Sequence, residues 1–418
     1  MTAVAESALY RAPGTDAPAS VVGDTPARLV LPETSSGPLG LAQEQALGYF
    51  GPTVQPDAFI AELEHSGLRG RGGAGYPTAR KFAAVAAAKG EKVVVANGHE
   101  GEPASTKDRW LLRYRPHLVI DGLFLAAAVT GASEAIVYVS DPAAAASVED
   151  AIAELVTAGL VPNGFTLRTH RAEHTYVAGE ESAVCRSIDG FAAKPTSKPP
   201  RPYESGVRGL PTLINNVETL AHVAWIRRHG AASFSQTGSA TSSGTALFTI
   251  TGAVSRPGVY EMSLGKTIDD LITAAGGATS SIGGLMLGGW FGGMLAGDRS
   301  ELICCYDAVR KAGSGLGCAA VTVLGEHDDL VEIAAELSAW FQAESAMQCG
   351  VCVSGTAAIA RAFRQIQRGD DPTLHQENLM RWGATVAGRG ACGFIDGAAA
   401  LARTAGVELA RRSENKES

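Results

Sequence analysis

The chain has 418 residues, 45% of them hydrophobic, a length that exceeds one ordinary hydrophobic core and predicts about two to three domains. Its 43 acidic and 35 basic side chains give a formal net charge of −8, which, without a block of Lys and Arg, excludes a general nucleic-acid binder. No apolar run reaches the ~20 residues that span a bilayer and the start lacks a secretory pattern, so we expect a cytoplasmic protein without direct membrane insertion.

The first half of the chain predicts a tail followed by an α/β domain. Residues 1–40 are rich in Ala, Pro, Thr, Ser and Gly without apolar periodicity, which predicts a flexible tail. Residues 92–96 and 135–139 have the pattern of buried strands, and an apolar helix is predicted between them over 118–130. This order predicts a parallel sheet in an α/β domain over 41–240, with binding residues at the carboxyl ends of its strands.

A glycine-rich run lies ahead of the first of these strands. Residues 67–82 read Gly-Leu-Arg-Gly-Arg-Gly-Gly-Ala-Gly-Tyr-Pro-Thr-Ala-Arg-Lys-Phe. Glycines let backbone N–H groups approach an anion, and the helical pattern over 79–89 places the last of them near a helix N-terminus. The spacing matches neither the dinucleotide fingerprint nor a Walker loop, so a tight turn without a ligand is the alternative to a phosphate site.

Three polar runs follow along the α/β domain. Residues 97–103 and 179–182 are acidic and flanked by glycine, and carboxylates at strand ends suit hydrogen bonds to ribityl or ribose hydroxyls, although solvated loops would explain them equally. Residues 215–219 read Asn-Asn-Val-Glu-Thr, which predicts a helix N-cap or an amide contact to the same ligand.

The second half of the chain predicts two further domains. A Ser-, Thr- and Gly-rich stretch near residue 240 indicates a linker, and strand patterns then predict a small β-rich domain over 245–325. Residues 330–410 have helical spacing and predict a bundle. Of the seven cysteines, Cys349, Cys352 and Cys392 indicate metal or redox chemistry, and the other four are expected to be small core residues: Cys185, Cys304, Cys305 and Cys318.

The order of these motifs resembles the NADH-oxidising, FMN-binding flavoprotein subunit of respiratory complex I and its relatives in NAD-linked hydrogenases and formate dehydrogenases. The matching motifs lie at 70–81, 97–103, 107–109, 176, 179–183, 198–200 and 214–220. The resemblance runs from about residue 41 to 405 in the family's domain order. It implies an FMN domain with a parallel sheet, a ubiquitin-like β-grasp domain and an iron–sulfur helical bundle.

The resemblance also implies cofactors, partners and roles. Hydride would pass from NADH to FMN, and single electrons would then pass through an iron–sulfur cluster to a ferredoxin-like or membrane-bound redox partner, with any membrane association made through partner subunits. Lys81 would pair with the FMN phosphate, and Glu102 and Glu181 would border the NADH side as catalytic residues. The other implied cofactor contacts are Gly70, Gly72, Gly73, Gly75, Tyr76, Asn97, His99, Tyr176, Gly179, Glu180, Lys198, Asn215 and Asn216.

Three departures in the nucleotide region weigh against a full match. His99 replaces the family's usual Asp, which removes an acceptor for flavin hydroxyls and adds a group expected to titrate near neutrality. Arg201 and Ala84 replace aromatic residues on the adenine side, although arginine can stack by cation–π contact. The alternative is therefore a degenerate flavoprotein that serves as a scaffold subunit, or one that uses a donor other than NADH.

The cluster motif departs as well. Residues 344–355 align with the family pattern without a gap, but Ala346 stands where the first ligand is expected, leaving Cys349, Cys352 and Cys392. Since a tetranuclear cluster normally has four thiolates, three options follow. These are a 4Fe-4S cluster with one non-Cys ligand, a 3Fe-4S cluster, or inert thiols in an apolar bundle.

Overall fold

The computed structural model describes residues 11–14 and 16–417, with side chains described up to residue 410. The N-terminal segment contains strand β1 (Ala19–Val21), which pairs in parallel with residues 259–261. The backbone N–H groups of residues 28–30 donate to the Glu261 carboxylate at 2.8–3.0 Å, and Leu29 is fully buried. The predicted flexible tail is therefore wrong for residues 16–40, because this segment is paired with a distant strand; residues 1–10 and 15 lie outside the described residues.

The α/β domain is built on a four-stranded sheet in the order β4-β3-β2-β5, with every neighbouring pair parallel. The parallel sheet predicted from the sequence is confirmed. Its strands are β2 (Val93–Asn97), β3 (Glu134–Val139), β4 (Thr166–Arg171) and β5 (Thr212–Asn216). Its helices are α1 (Leu41–Ala46), α2 (Pro56–Ser66), α3 (Thr78–Ala86), α4 (Lys107–Tyr114), α5 (Pro116–Thr130), α6 (Pro142–Thr157), α7 (Glu181–Ile188), α8 (Val217–His229) and α9 (Ala231–Ser235).

Packing between helices α5 and α8 shows how the sequence builds this layer. Helix α5 begins with Pro116, whose fixed φ suits a first turn, and ends at Gly131 with φ +74°. Between these ends Gly122 faces α8 so closely that a Cβ there would lie 2.0 Å from the Leu220 carbonyl oxygen. The close approach holds α8, and hence its N-terminal residues beside β5, firmly against the sheet.

A second, mixed sheet of six strands follows in the order β1-β9-β8-β12-β10-β11. Strands β8 and β9 form an antiparallel hairpin, whereas β8 and β12 are parallel. The stretch near residue 240 that suggested a linker forms a small hairpin. The elements are β6 (Gly238–Ser239), β7 (Ser242–Ser243), β8 (Thr245–Gly252), β9 (Gly258–Ser263), α10 (Ile268–Ala274), β10 (Ile282–Leu287), β11 (Met294–Ala296), α11 (Tyr306–Lys311) and β12 (Ala320–Gly325).

The C-terminal region is helical, as the spacing predicts. Its helices are α12 (Leu330–Ala343), α13 (Gly350–Arg368), α14 (Pro372–Thr385) and α15 (Phe394–Glu417). Trp340, Phe341 and Phe394 form an aromatic cluster with Phe291 from the second sheet's β10–β11 connection, with ring centroids 4.9–6.2 Å apart. Within the described part of the chain, none of the helices has the length and apolar character needed to cross a membrane.

Candidate functional site

The predicted site residues gather at the carboxyl edge of the parallel sheet. Asn97 at the end of β2 is in register with Asn216 at the end of β5 and with Tyr138 on β3. The Asn97 side chain donates to the Gly179 carbonyl oxygen at 2.9 Å. Two acidic runs that are far apart in sequence are thereby brought together at one edge, as expected for a parallel sheet.

The glycine-rich loop folds back on itself beside this edge. The Gly70 N–H donates to the Tyr76 carbonyl oxygen at 2.9 Å, which closes the loop around Gly72 and Gly73. Gly75 has φ +59°, and a Cβ there would lie 2.7 Å from the Tyr306 ring, so both its conformation and its contact require glycine. The Tyr76 side chain is 48% exposed. The loop therefore presents backbone and one aromatic ring on its open side.

Arg71 in this loop is a structural anchor. Its guanidinium is buried and donates to the carbonyl oxygens of Arg69 at 3.1 Å, Ser243 at 2.9 Å and Thr245 at 3.0 Å. Those three acceptors are backbone groups of the loop itself and of the segment leading into β8. Arg71 therefore fastens the loop to the second sheet and is not free to bind an anion.

Lys81 lies where helix α3 meets the sheet. Its ammonium contacts the Glu181 carboxylate and donates to the Ile214 carbonyl oxygen at 3.2 Å. Two buried polar atoms have no hydrogen-bond partner among the described residues: the hydroxyl of Thr78, the first residue of α3, and the side-chain nitrogen of Asn215, which follows Ile214 in β5. A buried donor without a partner costs about 1–3 kcal/mol. An ammonium and a hydroxyl in the first turn of α3, together with an amide from β5, fit a phosphate group that would satisfy them.

The turn before α7 is held by a second ion pair. The Glu180 carboxylate accepts from the Ser182 N–H at 2.9 Å and the Ala183 N–H at 3.3 Å as the helix N-cap, and it also contacts the Lys198 ammonium. Glu181, the next residue, pairs with Lys81. Glu180 and Glu181 therefore each have a lysine partner, and all four side chains are only partly buried, which leaves them accessible to a nucleotide.

His99 lies behind the acidic run as a neutral, buried ring. Burial lowers its pKa to about 4, so the expectation that it titrates near neutrality is wrong. The ring packs so tightly on the 176–180 turn that a Cβ at Gly179 would lie 2.8 Å from its Cδ2 atom. His99 thus fills space between two loops without adding a positive charge.

Glu102 is the other predicted catalytic carboxylate, and it points toward the second sheet. One of its oxygens accepts from the Ala104 N–H at 3.2 Å and the Trp290 N–H at 3.1 Å. Gly289 approaches so closely that a Cβ there would lie 2.2 Å from the carboxyl carbon. Burial raises the pKa of Glu102 to about 7, against the lowering effect of the two N–H groups.

Glu102 should make stability depend on pH in an unusual direction. The folded state keeps its proton up to about pH 7, whereas the unfolded state releases it near the ordinary value of 4.5, so stability is lost as pH rises between these values. At ~1.4 kcal/mol per pKa unit the loss is about 3 kcal/mol. We expect Glu102→Gln to unfold like wild type near pH 5 and at a higher Tm above pH 7. Glu149→Gln removes an exposed carboxylate and is the control; an equal Tm for Glu102→Gln and wild type above pH 7 would contradict the assignment.

Tyr176 lies at the contact between the α/β domain and the helical region. Its ring stacks on Phe291 with centroids 4.3 Å apart and meets Trp340 and Phe394 edge-on. Its N–H donates to the Glu344 carboxylate at 3.4 Å, just ahead of the cysteine motif. The structure therefore places this predicted cofactor residue between the acidic edge of the sheet and the cysteines.

The three motif cysteines share one end of the bundle. Cys349 is the N-cap of α13, Cys352 lies in its first turn, and Cys392 precedes α15. Burial raises the pKa of Cys392, and the charges of Glu180, Cys352 and Cys349 raise it further. Ala346 packs in the same apolar cluster. Within the described residues no three His, Cys, Asp or Glu side chains are arranged for a single metal ion; soft thiols on two connections of one bundle suit the wider iron–sulfur unit.

The other four cysteines behave as small core residues, with one addition. Cys185, Cys304 and Cys305 are buried and Cys318 is half-buried. The Cys305 sulfur also accepts from the Ala308 N–H at 3.4 Å as the N-cap of α11. Sequence reasoning assigned no role to the buried ions around α4 and α8. The sequence signals for these ions are Glu218, which lies between Val217 and the apolar residues that follow Thr219, and the adjacent opposite charges of Lys107 and Asp108.

Three family models match consecutive parts of the chain. A Nuo51 FMN-binding domain matches residues 63–225, an SLBB domain matches 247–288, and an NADH-ubiquinone oxidoreductase-F iron-sulfur binding region matches 332–410. These matches cover the glycine-rich loop, the part of the six-stranded sheet from β8 to β10, and the cysteine motif described above. They define the class as a flavoprotein with an FMN-binding domain and an iron–sulfur region.

Whole-chain similarity identifies the family. The second F subunit of NADH-quinone oxidoreductase in Rhizobium meliloti is 34% identical over 377 residues, covering 87% of this chain and 89% of that protein. The corresponding F subunit in Aquifex aeolicus is 33% identical, covering 76% of each. This chain belongs to the family of NADH-quinone oxidoreductase F subunits. A solved NAD+-reducing [NiFe]-hydrogenase superimposes with a TM-score of 0.79 at 32% identity; the match covers 86% of this chain but only 62% of that one.

Proposed function

We propose that this chain is an FMN-dependent oxidoreductase that accepts hydride from NADH and passes single electrons through an iron–sulfur cluster to a separate acceptor. The observation that carries the proposal is the set of unsatisfied donors beside Lys81, namely the buried Thr78 hydroxyl at the start of α3 and the buried Asn215 amide in β5, next to Ile214. They lie next to a loop in which a Cβ at Gly75 would clash with the Tyr306 ring and one at Gly72 would lie 3.0 Å from the Asn216 Cβ. A phosphorylated planar cofactor satisfies both features.

Bound FMN supplies the chemistry, since it takes up a hydride and returns electrons singly. The chain's residues then orient and shield it. The amides of Gly70, Gly72, Gly73 and Gly75 and the Tyr76 ring line the loop side, and Lys81 and Asn215 hold the phosphate end. Asn97, His99, Gly179 and Asn216 form the wall behind it. Glu180, Glu181 and Lys198 border the nicotinamide nucleotide, and Glu102 supports this side of the site from its buried position, where the Ala104 and Trp290 N–H groups hold its carboxyl group.

Electrons leaving this site would pass the contact that Tyr176 makes with the helical region. Its stack with Phe291 and its edge-on contacts with Trp340 and Phe394 would give this path an apolar lining. The acceptor is a ferredoxin-like protein or a membrane-bound redox partner, since the chain carries a single cysteine motif after the flavin domain. We assign residues 41–240 to FMN and NADH, 245–325 to the second domain and 330–410 to the cluster.

The second domain is a β-grasp fold in this proposal. Support comes from its topology, in which a β8–β9 hairpin is followed by helix α10 and by β10 and β12, with β12 inserted parallel to β8. Its helix begins with a reciprocal cap between Thr267 and Asp270. Together with the matched SLBB domain, this arrangement supports the assignment of a β-grasp domain between the flavin and cluster domains.

The cluster in this proposal has three Cys ligands, Cys349, Cys352 and Cys392, and is either a 3Fe-4S centre or a 4Fe-4S centre with a non-Cys ligand at one iron. Support comes from the ungapped spacing around Ala346 and from the Ser345 hydroxyl, which donates to the Cys352 sulfur at 3.2 Å. Such hydrogen bonds to ligand sulfur tune the reduction potential of a cluster.

An absorption spectrum tests the proposal most directly. Protein purified without added flavin should be yellow, should release FMN on denaturation, and should be bleached by NADH under anaerobic conditions. Iron and sulfide analysis on the same sample reports the cluster. A colourless protein that takes up no FMN would refute the proposal.

A second candidate, a degenerate scaffold subunit or a flavoprotein with another donor, is favoured by the adenine-side substitutions. Ala84 is an exposed alanine on α3, and the backbone N–H of Arg201 donates to Glu204 at 2.8 Å in an exposed turn. Neither residue offers the aromatic face expected there. An FMN-bearing protein that NADH does not bleach would support a different donor, and a flavin-free one would support the scaffold.

Glu181→Gln should alter the use of reduced nicotinamide while FMN stays bound. The substitution removes one charge from a partly exposed carboxylate that faces the nucleotide side and leaves Lys81 free for the phosphate. We expect the KM for NADH or the turnover rate to change by about tenfold, as for loss of one charge-assisted contact. Glu149→Gln, on an exposed helix face, is the control. Equal loss of FMN and of NADH use would instead make Glu181 a flavin ligand.

A further inference from the structure

A group of buried charges lies directly beneath the glycine-rich loop. The Lys107 ammonium is 2.7 Å from an Asp108 carboxylate oxygen and 2.8 Å from a Glu218 oxygen, and none of the three side chains is more than 6% exposed. Burying charges is costly unless each is paired with good geometry. Here direct pairing offsets the free energy of burying the charges. It also fixes the positions of all three side chains.

Asp108 and Glu218 of this group both bind Asn216. Its side-chain nitrogen donates to the second Asp108 oxygen at 2.7 Å, and its side-chain oxygen accepts from the Glu218 N–H at 3.0 Å as the cap of α8. Both ends of the amide are therefore engaged, and its orientation is fixed. A Cβ at Gly72 would lie 3.0 Å from the Asn216 Cβ, so the loop rests on this side chain.

The other end of the group is fastened to the second sheet. The Glu218 carboxylate accepts from the Leu247 N–H at 2.9 Å, and the Thr106 N–H, just before Lys107, donates to the Thr249 hydroxyl at 3.1 Å. Both contacts are made to strand β8. The charged group therefore cannot shift without disturbing the packing of two domains, and Asp108 is a rigid support.

The side chains of Asn215 and Asn216 differ in their hydrogen bonding, which indicates that Asn215 is free to bind the cofactor and that Asn216 supports the loop. The Asn215 side-chain nitrogen is buried and has no partner among the described residues, whereas the Asn216 amide is engaged at both ends by the chain. We infer that Asp108 is a positioning residue that acts through Asn216, fixing the amide that supports Gly72 and thereby the seat of the flavin. This inference rests on the proposed function, because it concerns the site proposed for FMN.

A double-mutant cycle tests whether Asp108 acts through Asn216. Asp108→Asn removes the charge, and Asp108→Glu keeps the charge for Lys107 but misplaces the oxygen that Asn216 reaches. Asn216→Ser keeps a cap for α8 but has no donor for Asp108. Apoproteins are titrated with FMN by flavin fluorescence. We expect the FMN Kd to rise about tenfold in each Asp108 variant relative to wild type. In the Asn216→Ser background, adding Asp108→Glu should raise the Kd by less than about twofold.

Asp121→Asn is the matched control. Asp121 is a buried carboxylate on α5, paired at 2.9 Å with Arg227 in the last turn of α8, at the opposite end of that helix from the Asn216 cap. Its loss should lower Tm without changing the FMN Kd. The inference is overturned if both Asp108 variants that fold keep the wild-type Kd, or if the Asp108→Glu effect is equally large with and without Asn216. Wild-type apoprotein that binds no FMN would refute the proposed function itself, which distinguishes the two failures.

Discussion

Lys81→Ala is expected to weaken FMN binding by one to two orders of magnitude. The Lys81 ammonium lies where the first turn of α3 approaches β5. It contacts the Glu181 carboxylate and donates to the Ile214 carbonyl oxygen. A charge-assisted contact to phosphate is worth about 1.5–3 kcal/mol, which corresponds to this loss of affinity. The variant also leaves the Glu181 carboxylate without its cation, and its repulsion of phosphate adds to the effect. Fluorescence titration of the apoprotein with FMN measures it.

Lys92→Ala provides the matched control for Lys81. The Lys92 ammonium donates to the carbonyl oxygens of Ala86 at 3.0 Å and Thr130 at 2.8 Å, at the opposite end of α3. Lys92→Ala also removes a lysine that donates to backbone carbonyl oxygens, but it should leave the FMN Kd unchanged. Retention of FMN by Lys81→Ala through gel filtration, at the wild-type level, would mean that the phosphate lies elsewhere.

Local patterns predicted those parts of the fold whose signals lie within a short stretch of chain. The apolar helix over 118–130 is α5, and the two valine- and isoleucine-rich runs are β2 and β3. The N-cap proposed at Asn215 or Asn216 is confirmed at Asn216, whose side chain accepts from the Glu218 N–H. In each case the deciding interactions are made within a few residues, so the sequence pattern alone is informative.

The N-terminal segment could not be predicted in the same way. Its strand β1 is short, and its stability comes from pairing with β9 and from the Glu261 carboxylate, more than 230 residues away in sequence. Arg28 completes the attachment, with its guanidinium 4.3 Å from the Trp225 ring centroid. The absence of apolar periodicity does not show that such a segment is flexible, because its ordered conformation depends on tertiary contacts.

The sequence indicated residues that the structure brings to one edge of the sheet, but not how their charges are paired or buried. The sequence indicates carboxylates and lysines at the edge of the sheet, yet it cannot show that Glu180 pairs with Lys198 and Glu181 with Lys81. Burial then decides protonation, as in the pKa of Glu102, raised to about 7. Desolvation depends on what the rest of the chain places around a group, and no local pattern carries that information.

Ala346→Cys is expected to have the other large effect, on the iron–sulfur region. Ala346 lies in the same apolar cluster as Cys349 and Cys392, three residues ahead of the first retained cysteine in the ungapped motif. With three thiolates, one iron site is open or lost, so wild type purified in air should show a three-iron signal by electron paramagnetic resonance. A fourth thiolate at residue 346 should close the cluster and protect it against oxygen.

The measurement is iron and sulfide content together with the paramagnetic resonance spectrum, before and after exposure to air. Ala346→Cys should hold about four irons per chain and lose them more slowly than wild type. Met347→Cys is the control, because that side chain is 61% exposed and next in sequence, so it adds a thiol that faces solvent. If wild type and Ala346→Cys, both reconstituted anaerobically, bind no iron, the three cysteines are inert core residues, and electrons from the flavin must leave the chain by another route.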